Sequence, residues 1–253
     1  MSAATFPYSA VLFDLDGTIA DSAPGITATL AFTLEELGLP VPPPAELLTW
    51  VGPPLAESFT IKIGLEGAAL KDAMRLYRRH YLAVGALDSR PFPGIEGLLR
   101  RVHAAGIPTS LATSKPEGPA LVMLDHFGLT KYLDVITGAS EDEVRSAKAD
   151  VVEEALARLT ARGVDVSRPV LVGDRSHDVE GAAAHGVPTI IVEWGYGSLE
   201  ERVGAIAVAK DPEDLASLLG LPSVVGAGAS GAAASGAGAA GAGHDTAPAA
   251  TSA

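Results

Sequence analysis

The chain has 253 residues and a formal net charge of −13, long enough to bury a sizeable core and too acidic to suggest a nucleic-acid partner, which needs a basic face. It contains no cysteine, which excludes disulfides, thiolate metal sites and cysteine nucleophiles. Aromatics are 5% of the residues, so Leu, Val, Ile and Ala must fill the core. The first nine residues carry neither the basic start nor the apolar stretch of a signal peptide, and the expectation is a cytoplasmic protein with no membrane contact.

In chain order, residues 10–18 read Ala-Val-Leu-Phe-Asp-Leu-Asp-Gly-Thr. Val11, Leu12 and Phe13 form a buried strand. Asp14 and Asp16, two apart, are expected to point the same way from its carboxyl end. Gly17 lets the chain turn sharply, and Thr18 is expected to hydrogen-bond the freed backbone. Two carboxylates beside an apolar strand are costly unless a cation or phosphate chemistry needs them. From about 21 to 90 the pattern becomes helical, with no clear strand. Ile26, Leu30, Leu34 and Leu37 make one apolar face, and Leu70, Met74, Tyr77 and Tyr81 make another.

Beyond residue 92, apolar runs at 107–112, 133–137, 170–173 and 189–192 predict buried strands. Between them, 94–105, 117–127, 149–161 and 177–185 predict helices, with Gly106, Gly128, Gly163 and Gly186 placed as left-handed caps. This alternation predicts an α/β parallel sheet covered on both faces, with its ligand crevice at the strand carboxyl ends. Glu141, Asp142 and Glu143 read as a solvated loop, and Arg175 and His177 as helix-start and surface residues. Residues 226–243 are only Gly, Ala and Ser, which predicts a flexible tail rather than a membrane span.

The 10–18 segment resembles the first motif of the haloacid dehalogenase superfamily. Ser110-Leu111-Ala112-Thr113-Ser114-Lys115-Pro116 resembles the second, Arg145 to Asp150 with Lys148 the third, and Val170 to Asp178 with Gly173-Asp174 the fourth. The resemblance implies a Rossmann-like, three-layer parallel core (1–20 and 91–222), an inserted all-helical cap (21–90) of the kind shared by phosphoglycolate phosphatases, β-phosphoglucomutases and haloacid dehalogenases, and a tail from 223.

It further implies Asp14 as nucleophile and Asp16 as general acid and base. Gly17 would border the phosphate, the Thr113 hydroxyl and Ser114 amide would donate to it, and Lys148 would neutralise its charge. Mg2+ would bind the Asp14 carboxylate, the Asp16 carbonyl and the Asp174 carboxylate. Asp178 would act from behind these ligands, or simply complement its helix dipole. Lys115 reads either as structural or as a contact to the leaving group. Asp16 favours a phosphate ester over a carbon–halogen or carbon–phosphorus substrate. The expected partner is a small phosphorylated metabolite, with phosphoglycolate and 5′-nucleotides leading. Transfer to a sugar phosphate and a non-catalytic regulatory role stay open as alternatives.

Overall fold

The computed structural model describes residues 6–142 and 144–223. The predicted tail and Glu143 lie outside them. Strand β1 (Ala10–Phe13) leads through β2 (Ala20–Asp21) into α1 (Ala23–Glu36), α2 (Pro44–Leu48), α3 (Leu55–Ser58) and α4 (Gly67–His80). Wider, π-helical turns, Phe59–Ile63 and Tyr81–Gly85, extend α3 and α4. After β3 (Arg90–Pro91) come α5 (Ile95–Ala104), β4 (Thr109–Leu111), β5 (Thr113–Pro116), α6 (Glu117–His126) and β6 (Gly138–Ala139). The chain continues through α7 (Lys148–Ala161), β7 (Pro169–Gly173), α8 (Ser176–Ala183), β8 (Thr189–Val192), β9 (Ala207–Ala209) and α9 (Pro212–Leu218).

The main sheet has the order β4-β1-β7-β8-β9, and every pairing in it is parallel. Because side chains alternate along a strand, β1 feeds two cores. Val11 and Phe13 pack with Leu98, Val102 and Leu215 of α5 and α9. Ala10 and Leu12 pack with Val151, Ala155 and Ala182 of α7 and α8. The result is the three-layer α/β architecture expected. The four glycines following the helices have φ between 67° and 78°, as left-handed caps require.

Three expectations are corrected here. Residues 133–137 form no strand. Val135 makes a single bridge to Ser110; the Val135 and Thr137 carbonyls accept the Leu111 and Thr113 amides, while Ile136 O and Asp134 O are taken by Arg158 and Arg162. Arginines thus finish an edge that a longer strand would leave open. The helical stretch is also bracketed by strand: β2 pairs antiparallel with β3 where the chain enters and leaves it. Finally, β9 and α9 extend the sheet beyond the last predicted strand. The helical segment shares one core with the sheet: Leu30, Leu34, Trp50, Met74 and Tyr81 belong to the same apolar cluster as Phe13 and Val172.

Candidate active site

The topology reverses at β1, whose neighbours β4 and β7 are reached on opposite sides, and such a switch point opens a crevice beyond the strand carboxyl ends. β1 delivers Asp14 there, the β4–β5 passage delivers Thr113 and Ser114, β7 delivers Asp174, and the first residue of α7 is Lys148. All of these side chains are buried.

Lys148 is the centre of one half. Its ammonium lies 2.6 Å from Asp14 Oδ1 and 2.7 Å from Asp178 Oδ1, and it donates to the Ala112 carbonyl at 2.9 Å. Burial opposes the Lys148 charge, but Asp14 and then Asp178 outweigh it and hold the group above the usual lysine range. Asp178 uses its other oxygen to accept the amides of Asp174 and Arg175, each at 3.0 Å. It therefore caps α8 and tethers Lys148 at once. Burial opposes its ionisation, yet Lys148 and His177 keep its carboxyl below the usual range.

Asp16 belongs to the other half. The strand ends at Phe13, and Asp16 already lies in the turn that follows, bridged to Ala20, so the alternation of a strand does not extend to it. Asp14 and Asp16 consequently engage different partners. Asp16 accepts from Ser22 Oγ at 2.6 Å and from Lys115 Nζ at 2.8 and 3.1 Å. Lys115 also sits 4.7 Å from the centre of the Tyr81 ring, a cation–π distance. The structure thus brings Lys115 onto the acid itself.

Asp174 is the third buried carboxylate. Oδ2 accepts the Tyr196 amide at 2.7 Å, while Oδ1 has no partner among the described residues. Burial, then Asp178 and Asp14, raise the Asp174 carboxyl well above its usual range. Burial likewise pushes Asp14 up to about 6, against the pull of Lys148. Oxygens of Asp14, Asp174 and Asp178 lie within 4.8 Å of one another. Three converging carboxylates, one with an orphaned oxygen, fit a hard cation that takes oxygen ligands.

Gly17 (φ 85°) passes so close that a Cβ there would collide with the Asp174 carboxylate. Thr113 Oγ1 accepts the Lys115 amide at 3.3 Å, and Ser114 Oγ is buried with no partner among the described residues. Thr18 Oγ1 is also unpartnered; the turn amides at 18, 19 and 20 all donate to Leu15 O instead, so the expected side-chain contact is not needed.

Sequence reasoning missed the stretch 194–197. Trp194 Nε1 donates to Thr18 O, and the Tyr196 hydroxyl accepts the Ser22 and Ala23 amides while donating to Asp21. This locks the first turn of α1 to Asp174. A Cβ at Gly195 or Gly197 would strike Asp174; the glycine pair after a strand was the available signal. Arg175 was also underrated. It bonds Glu201 and donates to Val51 O at 2.7 Å, joining α8 to the helical segment.

Comparison with known proteins agrees with this geometry. A family model described as haloacid dehalogenase-like hydrolase matches residues 11–192. The tyrosine-protein kinase PtkA of Mycobacterium tuberculosis and of Mycobacterium bovis is 45% identical over 74% of this chain, and the match spans 62% of PtkA's own length. A 5′-nucleotidase of Pseudomonas aeruginosa is 34% identical over 79% of this chain and 90% of its own. A phosphoglycolate phosphatase of Cupriavidus necator is 32% identical over 87% and 96%. A crystal structure of a predicted phosphatase from Clostridium acetobutylicum superposes with a TM-score of 0.78 at 34% identity, covering 83% of this chain and 97% of that one. With the family model spanning all four motifs and the fold and crevice in agreement, the chain belongs to the haloacid dehalogenase-like hydrolase family, in its phosphoglycolate-phosphatase-like branch.

Proposed function

We propose that the chain is a magnesium-dependent phosphatase that hydrolyses a small phosphate monoester through a phosphorylated Asp14. The observation that carries this reading is the buried contact of Lys148 with Asp14, beside an Asp174 oxygen that has no protein partner. The cation would be held by the Asp14 and Asp174 carboxylates and the Asp16 carbonyl. When bound it would neutralise the phosphate and the clustered carboxylates.

The chain's own groups supply the remaining chemistry. An Asp14 oxygen attacks phosphorus in line, forming an acyl phosphate as the bond to the leaving oxygen breaks. Asp16, entering this step protonated and released from Lys115, gives its proton to that oxygen, then takes one from the water that attacks phosphorus, and inorganic phosphate leaves with Asp14 and the Asp16 proton restored. Lys148, the Thr113 hydroxyl and the Ser114 amide hold the equatorial oxygens. Asp178 keeps Lys148 aimed at Asp14. The helical segment 21–90 acts as a cap: Tyr81 lies over Lys115, and Arg175 clasps Val51, so closure would exclude water from the acyl phosphate. The cysteine-free sequence suits work in the cytoplasm.

A second reading is transfer to a hydroxyl other than water, favoured by the similarity to a protein named as a tyrosine kinase. One experiment separates them. The chain is given magnesium and, in turn, phosphoglycolate, a nucleoside 5′-monophosphate, a sugar phosphate and a phosphotyrosine peptide, with free phosphate measured. A parallel reaction contains labelled ATP and a tyrosine peptide. Hydrolysis proceeds with a monoester that is lost in excess chelator. Label in the peptide with no monoester hydrolysed would overturn the phosphatase reading.

A further inference from the structure

Asp16 lines a pocket of about 90 Å³ together with Lys115 and Tyr81. Its second donor, Ser22, stands just ahead of α1, where a serine ordinarily caps the helix by accepting an amide with its own hydroxyl. The Ser22 side chain makes no such bond. Ser22 is fully buried, and its hydroxyl donates to Asp16 Oδ1 at 2.6 Å instead.

The acceptor for the start of α1 comes from far along the chain. The Tyr196 hydroxyl accepts the Ser22 amide at 2.8 Å and the Ala23 amide at 3.0 Å. It donates its own proton to Asp21 Oδ1 at 3.1 Å, while Arg90 holds Asp21 Oδ2 at 3.1 Å. Asp21 and Arg90 face each other across β2 and β3, where the chain enters and leaves the helical segment. The Tyr196 amide meanwhile donates to Asp174 Oδ2 at 2.7 Å. One residue thus holds Asp174 with its backbone and, with its hydroxyl, the turn that carries the Ser22 contact to Asp16.

We infer that Tyr196 is a positioning residue for the acid step: by accepting the amides that open α1, it leaves the Ser22 hydroxyl to orient Asp16. The inference rests on the phosphatase reading, in which Asp16 is released from Lys115 to meet the ester oxygen. Ser22 is then the donor that stays with Asp16 and fixes which of its oxygens turns toward the ester. Helix-opening amides left without an acceptor in the interior cost free energy. Without the Tyr196 hydroxyl, Ser22 Oγ is drawn back to its ordinary capping role, and a bond to its own helix competes with the one to Asp16.

The test compares two esters in magnesium by kcat/KM, which reports the steps up to departure of the leaving group. Benzyl phosphate expels an alkoxide and needs the proton from Asp16; 4-nitrophenyl phosphate expels a stabilised phenolate and needs it little. Tyr196→Phe keeps the ring near Phe92 and the backbone amide that serves Asp174. It is expected to lower kcat/KM by roughly tenfold or more for benzyl phosphate and by less than about threefold for 4-nitrophenyl phosphate. Ser22→Ala should show the same split, and the double variant should be no slower than the slower single one, because both act through one contact. Equal losses on the two esters, or no loss on either, would make Tyr196 structural only and overturn the inference. A crystal structure of Tyr196→Phe reads the positioning without turnover. Ser22 Oγ is expected to have left Asp16, and a Ser22–Asp16 bond kept at its present length overturns the inference. If the wild type hydrolyses neither ester, the phosphatase reading falls, and the crystal structure alone decides whether Tyr196 positions Asp16.

Discussion

Two lysines each meet a carboxylate in this crevice, and they are built differently. Lys148 is held entirely by the sheet core, through Asp14, Asp178 and the Ala112 carbonyl. Lys115 lies between Asp16 of the core and Tyr81 of the helical segment. The first arrangement has its charge neutralised from several sides and is pre-aimed at the carboxylate proposed as nucleophile. The second depends on two bodies of structure meeting, and both its residues line the pocket. The half of the site proposed to bind phosphate is thus built within the sheet core, and the half proposed to face the leaving group is set by how the helices sit. Substitutions should separate them.

The largest effect falls on the half built within the sheet core. Asp14→Asn is expected to lower the rate of phosphate release at least a thousandfold, about 4 kcal/mol of barrier. More than a tenth of the wild-type rate would reject Asp14 as nucleophile. Next, Lys148→Met strands Asp14 and Asp178 in the interior, and loss of one partner from a buried ion pair costs about 3–5 kcal/mol. Lys115→Met leaves a buried Asp16 with the Ser22 hydroxyl as a remaining donor, so a loss at the low end of that range, about 3 kcal/mol, is expected. Denaturant unfolding of the two variants sharpens the contrast; equal losses would break it.

Magnesium comes third. A cation bound by Asp14 and Asp174 should raise Tm, by about 2.7 kcal/mol of stability at a hundred times its Kd. Asp174→Asn should erase most of that shift. Lys115→Met, outside the carboxylate cluster, should retain it. A magnesium-independent Tm in the wild type would argue against a cation at this site.

The smallest expected effect is a pH slope. Burial holds His177 down to about 4, against an ordinary value near 6.5. Between these values the unfolded chain binds the proton and the folded chain does not, so this group's contribution falls as pH drops from about 6.5 to about 4. Asp14, pushed up to about 6, acts in the opposite sense across much of that interval. The measurement is therefore the difference between wild type and His177→Asn, which should narrow as pH falls. A difference that is constant with pH would mean that His177 stays accessible to protons in the folded protein.

Much of this molecule was legible in residue order. Apolar runs ending in Asp14 and in Gly173-Asp174, and glycines placed after helices, depend on local pattern and backbone freedom, which a sequence states directly. They led to the parallel sheet and to the crevice at its carboxyl ends. That 133–137 would pair only through Val135 was not legible, because the arginines that take the Ile136 and Asp134 carbonyls come from α7 and the turn after it. The separate partners of Asp14 and Asp16 were not legible either, since strand periodicity ends one residue before Asp14.

What only the tertiary structure decided is which charges meet. Nothing local to Lys115 says that it will reach Asp16, 99 residues earlier, under Tyr81. Nor does the Trp-Gly-Tyr-Gly stretch at 194–197 announce that its backbone will close over Asp174. The sequence by itself determined the fold class and the candidate residues, because periodicity and turn chemistry act over a few residues. Partners of buried charges are chosen by burial itself. Folding removes water from Asp14, Asp16 and Asp174, and each must then be satisfied by whatever donor the packed helices bring within about 3 Å.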